Sequence, residues 1–303
     1  MYERSLLVLH AFTDGRTGAV AAGARDGWAY VWPRDAATAA LAYAAAGYRD
    51  EARRVAGFLL DLGAGTTEAA RFSGDGAPVT GRGPQGDAAG WIAVAARAAG
   101  RMPPPPPPLG AWRGLPDYQE GAPGDYLANA LAVSAVVPLL LGTKKDPADP
   151  LSLRRRAQAR IAAEFGMPRG LVRQAGDPAS GLDSAAAWAV RPFSSPALYP
   201  AARRTLLRLA ADATPFGITP GEGWMGGADP WTAPTAWSAW SLAALGDRGS
   251  ALELLADLRR AATPAGALPE RVGARSGVPR STTPLAWSHA FAILALRQLW
   301  PSR

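Results

Sequence analysis

Cysteine is absent from the 303 residues, which excludes disulfide staples, thiolate metal sites and a cysteine nucleophile. Histidine is reduced to His10 and His289, so no His-rich ligand set can form. Lysine is almost absent as well. Lys144 and Lys145 are the only two, and the net charge of +7, from 32 basic against 25 acidic residues, is carried by arginine. The arginine runs Arg154–Arg156 and Arg259–Arg260 fall inside apolar-periodic segments, where they form the solvated face of a helix rather than a nucleic-acid stripe. No apolar stretch approaches the roughly 20 residues of a membrane span, and the start, Met1-Tyr2-Glu3-Arg4-Ser5 followed by Leu6-Leu7-Val8-Leu9, has neither the length nor the cleavage pattern of a signal core. Neither nucleic acid nor membrane is expected as a partner, and a cytoplasmic location is expected. A phosphate-binding glycine loop is also missing, and nothing in the pattern asks for a cofactor or metal.

What is present is a core. Hydrophobic residues make up 48% of the chain and charged residues 19%, the balance of a folded protein. Length alone allows two domains, yet one large domain can bury a full core at this size, and a single domain over 1–303 is expected.

Helical periodicity dominates, and it comes in two kinds. Segments at about 35–46, 87–99, 125–141, 183–190, 231–245 and 285–300 are Ala-rich, apolar all round and preceded by Gly/Pro/Trp-rich loops, the pattern of buried helices. Segments at about 2–12, 50–62, 151–166, 200–212 and 248–261 carry one charged stripe, the pattern of helices that face water. Alternation of the two kinds predicts an all-α fold of two concentric rings, an (α/α)6 barrel. The shortest interval between inner helices contains six consecutive prolines, Pro103–Pro108, which cannot be helical. At about 3 Å per residue they run as a stiff strap of about 18 Å, and one outer helix is expected to be missing there. An interdomain linker is the alternative use of such a segment.

Loops entering the inner helices of such a barrel converge at one end of its axis. This chain concentrates aromatic and acidic residues in them: Trp28, Tyr30, Trp32, Arg34 and Asp35; Gln85 and Asp87; Asp117 and Glu120; Asp183; Glu222 and Trp224; Asp229 and Trp231; then Glu270 and Trp287. Aromatic faces beside carboxylates suit a sugar, whose C–H faces stack on rings while its hydroxyls pair with Asp, Glu and Arg. Asp87 and Asp183 each serve equally well as helix N-caps. Trp237, Trp240 and Trp300 are assigned to the core. His289, inside a helix, is expected to be structural rather than a general base.

Several of these segments, in order, resemble the glucoamylase family, glycoside hydrolase family 15. They are Ser5-Leu6-Leu7-Val8-Leu9, Thr17-Gly18-Ala19-Val20-Ala21-Ala22, Tyr30-Val31-Trp32-Pro33-Arg34-Asp35, Asp229-Pro230-Trp231, Gly266-Ala267-Leu268-Pro269-Glu270-Arg271-Val272 and Pro284-Leu285-Ala286-Trp287-Ser288-His289-Ala290. The resemblance implies an (α/α)6 barrel and an inverting, exo-acting α-glucoside hydrolase for short malto- or isomalto-oligosaccharides, or a trehalase of the same mechanism. It implies Glu270 as catalytic base, Glu120 as acid, Arg34 and Asp35 as holders of the terminal sugar, and Trp28 and Trp231 as walls. Tyr30, Trp32, Gln85, Asp87 and Asp117 complete the expected substrate-binding set. Inversion needs two carboxyl groups in different environments, with Glu120 desolvated and protonated and Glu270 ionised, while Asp35 beside Arg34 stays charged. The chain departs from the family at three places. Gln119 precedes the expected acid where members carry Trp, which leaves Asp117 as an alternative acid. Gly81-Arg82-Gly83 stands where members have an aromatic residue. Gly217-Ile218-Thr219 stands where they have an arginine. A barrel that binds carbohydrate without turning it over is the alternative these departures leave open.

Overall fold

The computed structural model describes residues 1–62, 69–105, 107–108, 110–140 and 150–301. Helices α1 (Tyr2–Phe12), α2 (Pro33–Ala46), α3 (Arg49–Asp61), α4 (Ala88–Ala98), α5 (Leu127–Leu140), α6 (Pro150–Phe165), α7 (Tyr199–Ala211), α8 (Thr232–Ala244), α9 (Arg248–Ala261) and α10 (Ala286–Leu299) follow one another, with a 3-10 helix over Ser184–Ala189 between α6 and α7. Contacts run from α2 to α4, α5, the 3-10 helix, α8, α10 and back to α2, which closes an inner ring of six. Helices α1, α3, α6, α7 and α9 pack outside it. This is the expected all-α double ring.

The rings differ for the reason the sequence suggested. Inner helices rich in alanine let backbones approach: a Cβ added to Gly90 of α4 would stand 2.1 Å from the Ala132 carbonyl oxygen of α5. Ends are also coded locally. Pro33 occupies the first position of α2, where a missing N–H costs nothing, and Gly47 ends it in the left-handed region at φ 93°. Between α4 and α5 the described residues form turns and coil, and among them the outer ring has no helix. The prolines 103–105 and 107–108 lie in that coil; Pro106 is outside the described residues.

Along the ring interior, Trp91, Trp188, Trp237 and Phe291 are fully buried and meet edge to face, with Trp91–Trp188 and Trp237–Phe291 centroids 5.0 and 5.5 Å apart. Tyr118 and Trp287 extend this cluster toward the loops. The loop end is thereby floored by aromatic rings, and the site rests on that floor.

Three expectations need correction. The inner helix expected at 183–190 is only a 3-10 helix, because Pro192 disfavours α-helical backbone before it and ends the segment early. Trp300, assigned to the core, is 51% exposed, since α10 ends at Leu299 and leaves the ring outside, covered only by the Arg248 guanidinium 5.4 Å from its centroid. Strands not anticipated from the periodicity are present. An antiparallel sheet of β1 (Gly166–Met167), β2 (Gly170–Gln174) and β3 (Asp177–Leu182) leads into the 3-10 helix, and β4 (Arg271–Val272) pairs with β5 (Pro279–Arg280). They are two to six residues long, too short for alternation to be read.

Candidate active site

The inner-helix loops deliver eleven residues to one small cavity of about 50 Å³: Trp28, Trp32, Arg34, Asp35, Tyr118, Gln119, Glu120, Trp231, Glu270, Leu285 and Trp287. Of the residues singled out from the sequence, Trp28, Trp32, Arg34, Asp35, Glu120, Trp231 and Glu270 share this lining. Gln85, Asp87, Asp117 and Tyr30 lie outside it.

Arg34 and Asp35 open α2, where the first turn points into the cavity. The buried Arg34 guanidinium donates from Nη1 to Asp87 Oδ2 at 2.8 Å and to Gln85 Oε1 at 2.9 Å, and it lies 4.8 Å from the Trp287 centroid. Asp87 precedes α4 but makes no side-chain cap hydrogen bond, so its carboxylate is given to Arg34 instead. Charge pairing with Asp87 and Asp35 holds Arg34 firmly charged despite its burial. Asp35 behaves differently from the expected carboxylate. Burial pushes its pKa up to about 7 against the lowering pull of Arg34, whose Nε is 3.9 Å away, while the negative charges of Asp87 and Glu270 raise it further.

Glu270 is fixed by its backbone on both sides. Its N–H donates to the Thr282 carbonyl at 2.9 Å, and its carbonyl accepts the Thr232 N–H at 3.1 Å. His289 supports the same loop: Nε2 accepts the Leu268 N–H at 2.9 Å, which leaves the ring proton on Nδ1, 2.9 Å from Ser5 Oγ. This is the structural role expected for that histidine. Asp229 ties the Trp231 loop to the β4–β5 hairpin, accepting the Ala274 N–H and pairing with Arg280 at 3.1 Å. The Glu270 side chain is buried, and desolvation raises its pKa against the lowering pull of Ser281, Arg271 and Arg82.

Glu120 sits on a turn closed by its own N–H to the Asp117 carbonyl, in the left-handed region at φ 54°. That conformation costs a non-glycine residue about 1–2 kcal/mol and persists only where its surroundings enforce it. Oε1 accepts from Trp32 Nε1 at 3.1 Å and from Gln85 Nε2 at 3.0 Å, while Oε2 forms an ion pair with Arg82. These partners favour the ionised form. The two environments therefore run opposite to the expected split: Glu270 is the more buried carboxyl, and Glu120 is partly exposed and charge-paired. The physical reason is Arg82, whose loop position gives Glu120 a cation.

Asp117 is fully buried beneath the turn, its Oδ1 accepting the Gln119 N–H at 2.9 Å and its Oδ2 unpartnered. Burial next to Asp183 pushes its pKa up to about 7. Asp183 does cap the 3-10 helix, through the Ala185 N–H, and also accepts from Tyr118 and Gln119 at 3.1 Å. Tyr30 lies at the mouth, 4.7 Å beneath the Arg71 guanidinium.

Trp287, named among the loop aromatics, both lines the cavity and supports Arg34. The periodicity and motifs passed over two other contributors. Arg173, at a register irregularity of β2 against β3, donates to Gln119 Oε1 at 3.0 Å. Arg82, flanked by two glycines, reaches between Trp28 and Trp32 to Glu120. Only the arginine in a short glycine-flanked loop left a visible trace in the sequence.

Residues 1–82 match the model of glycosyl hydrolases family 15, covering the Tyr30–Asp35 segment and α1 to α3. The match covers the first 82 of the 303 residues and is a resemblance to that family over this segment. Solved structures share this chain's double-ring fold. A glycosidase variant in complex with glucose aligns over 98% of this chain and 96% of its own at 21% identity, with a TM-score of 0.76. A bacterial glucoamylase complexed with acarbose aligns over 98% of this chain and 55% of its own at 18% identity, TM-score 0.75. The glucoamylase from Saccharomycopsis fibuligera covers 97% and 93% at 15% identity, TM-score 0.73. At these identities the likeness is one of fold. Against curated proteins the sequence finds no match. Among the described residues no helix is long and apolar enough to cross a membrane.

Proposed function

We propose that residues 1–303 act as one catalytic domain, an inverting exo-acting hydrolase that releases glucose from the non-reducing end of short malto- or isomalto-oligosaccharides. Glu120 is the general acid and Glu270 the general base. The observation that carries this reading is that these two glutamates, from loops far apart in sequence, line one tryptophan-walled cavity with Arg34 and Asp35. At about 50 Å³ the cavity is well below the usual range of roughly 300–1,000 Å³, so a terminal sugar enters only as lining side chains move aside.

In this mechanism Glu120 donates its proton to the glycosidic oxygen as the bond from C1 to that oxygen breaks. Water adds to C1 from the opposite face, and its proton goes to Glu270, so the product has inverted configuration. A base is stronger the higher its pKa, and burial moves Glu270 in that direction while leaving it beside the cations Arg82 and Arg271. Trp28 and Trp32, stacked with centroids 5.5 Å apart, offer the sugar an aromatic wall, and Trp231 offers another.

One observation favours a second reading, a barrel that binds carbohydrate without hydrolysis: Glu120 is ion-paired with Arg82, a poor resting state for an acid. Proton NMR of the anomeric signals with maltose, isomaltose, trehalose and maltotetraose separates the two. Release of β-glucose by the parent, reduced about 10²–10⁴-fold in Glu270→Gln, is the expected result. Hydrolysis unchanged in Glu270→Gln overturns the base assignment, and turnover of trehalose alone makes the enzyme a trehalase. Binding by calorimetry with no turnover of any sugar favours the second reading.

A further inference from the structure

Arg82 is a cation for which hydrolysis of a neutral glucoside has no use. Its guanidinium pairs with Glu120 Oε2 and stands 5.4 and 5.6 Å from the centroids of Trp28 and Trp32, three residues that line the cavity. Its charge also acts on Glu270. It is thus placed within reach of both carboxylates of the proposed mechanism. The side chain remains 31% exposed, so it is open to solvent and to a group that approaches Glu120 from outside.

The other cations near the site are occupied differently. Arg34 is buried and consumed by Asp87, Gln85 and Asp35. Arg71 donates to the carbonyls of Gly27 and Thr80, yet its positive charge adds to that at the mouth and, with partial burial, makes the charged form of Arg82 less favourable. Among the described residues the ion-pair partner of Arg82 is Glu120, with Glu270 acting on it from farther away, and Glu120 has to give up its ionised state to protonate a leaving oxygen. A neutral aglycone that enters here leaves the guanidinium desolvated and unpaired; an aglycone bearing an oxyanion replaces the counter-ion.

Resting on the hydrolase reading above, we infer that Arg82 is the subsite for an acidic leaving group, and that this cavity takes α-glucosides whose aglycone carries a carboxylate or other oxyanion close to the scissile bond. The anion takes Arg82 from Glu120. Freed of the ion pair, the Glu120 carboxylate takes up a solvent proton and can pass it to the glycosidic oxygen. Substrate charge thereby sets the protonation of the acid, and a neutral substrate finds the acid still paired.

The test uses two open-chain aglycones that differ in one group, maltobionate with its carboxylate and maltitol with a hydroxymethyl in its place. Binding is measured by calorimetry and hydrolysis by glucose release, for the parent, Arg82→Gln and Arg82→Ala. The parent is expected to bind and turn over maltobionate about tenfold better than maltitol, with the margin shrinking as salt is raised, and both variants are expected to bring the ratio to about one. A tenfold binding preference lost in the variants upholds the subsite even if neither sugar is hydrolysed, in which case the hydrolase reading fails alone. Equal binding and equal turnover of the two sugars by the parent overturns the subsite and leaves hydrolysis standing. An unchanged preference in both variants overturns the assignment to Arg82.

Discussion

The backbone N–H of Leu268 donates to Nε2 of His289 at 2.9 Å, joining the loop that carries Glu270 to the middle of an inner helix. The ring is fully buried and must be neutral to accept that hydrogen bond, and burial near Arg4 and the N-terminus pushes its pKa down to about 3.

That depression has a definite sign. Between pH 6.5 and 3 the unfolded chain binds a proton at His289 that the folded chain refuses, so this contribution to stability is full above pH 6.5 and falls as the pH is lowered. Its slope is at most about 1.4 kcal/mol per pH unit. Urea midpoints of the parent and His289→Gln, measured from pH 7.5 to 4, are expected to converge as pH falls. Parallel curves would show that the ring is not held neutral.

Asp117 makes the opposite contribution. Its folded pKa, raised to about 7, means that the folded chain keeps a proton the unfolded chain has released, so stability from this group is present below pH 4 and is lost as pH rises to 7. Asp117→Asn keeps the acceptor for the Gln119 N–H and cannot ionise. Its stability relative to the parent is expected to rise between pH 4 and 8 by on the order of a few kcal/mol. If it were the catalytic acid in place of Glu120, this substitution would also abolish hydrolysis, whereas the assignment made here has activity survive it and fail in Glu120→Gln.

Gly90 marks where the inner ring closes most tightly. A methyl group there would meet the Ala132 carbonyl oxygen at 2.1 Å, and neither backbone is free to yield because α4 and α5 are both held in the ring. Gly90→Ala is expected to lower stability by about 1–3 kcal/mol despite the better helix propensity of alanine. A raised thermal midpoint would show that the two helices can separate without cost.

Much of the architecture was legible before any coordinates. Two kinds of helix, all-apolar and one-striped, follow from how many sides of a helix meet water, and that is written in composition and period. Ten of the eleven expected segments became α-helices at nearly the expected bounds; the exception, Ser184–Ala189, was shortened by a proline just beyond it. The motif residues Trp28, Trp32, Arg34, Asp35, Trp231 and Glu270 could be named because each lies in a loop entering an inner helix, and ring closure brings such loops together.

What the sequence by itself determined, then, is the ring order and the set of side chains at its open end, because both depend on local periodicity and on the positions of loops. Which of those side chains touch was decided by tertiary structure alone. Asp87 could cap its helix or bind Arg34, and only the approach of α2 to α4 gave it to Arg34. Glu120 was expected to be the desolvated carboxyl, and only the approach of Arg82 beside Trp28 and Trp32 gave it a counter-ion. Charge pairing acts over a few ångströms between residues distant in the chain, and no local pattern encodes those distances.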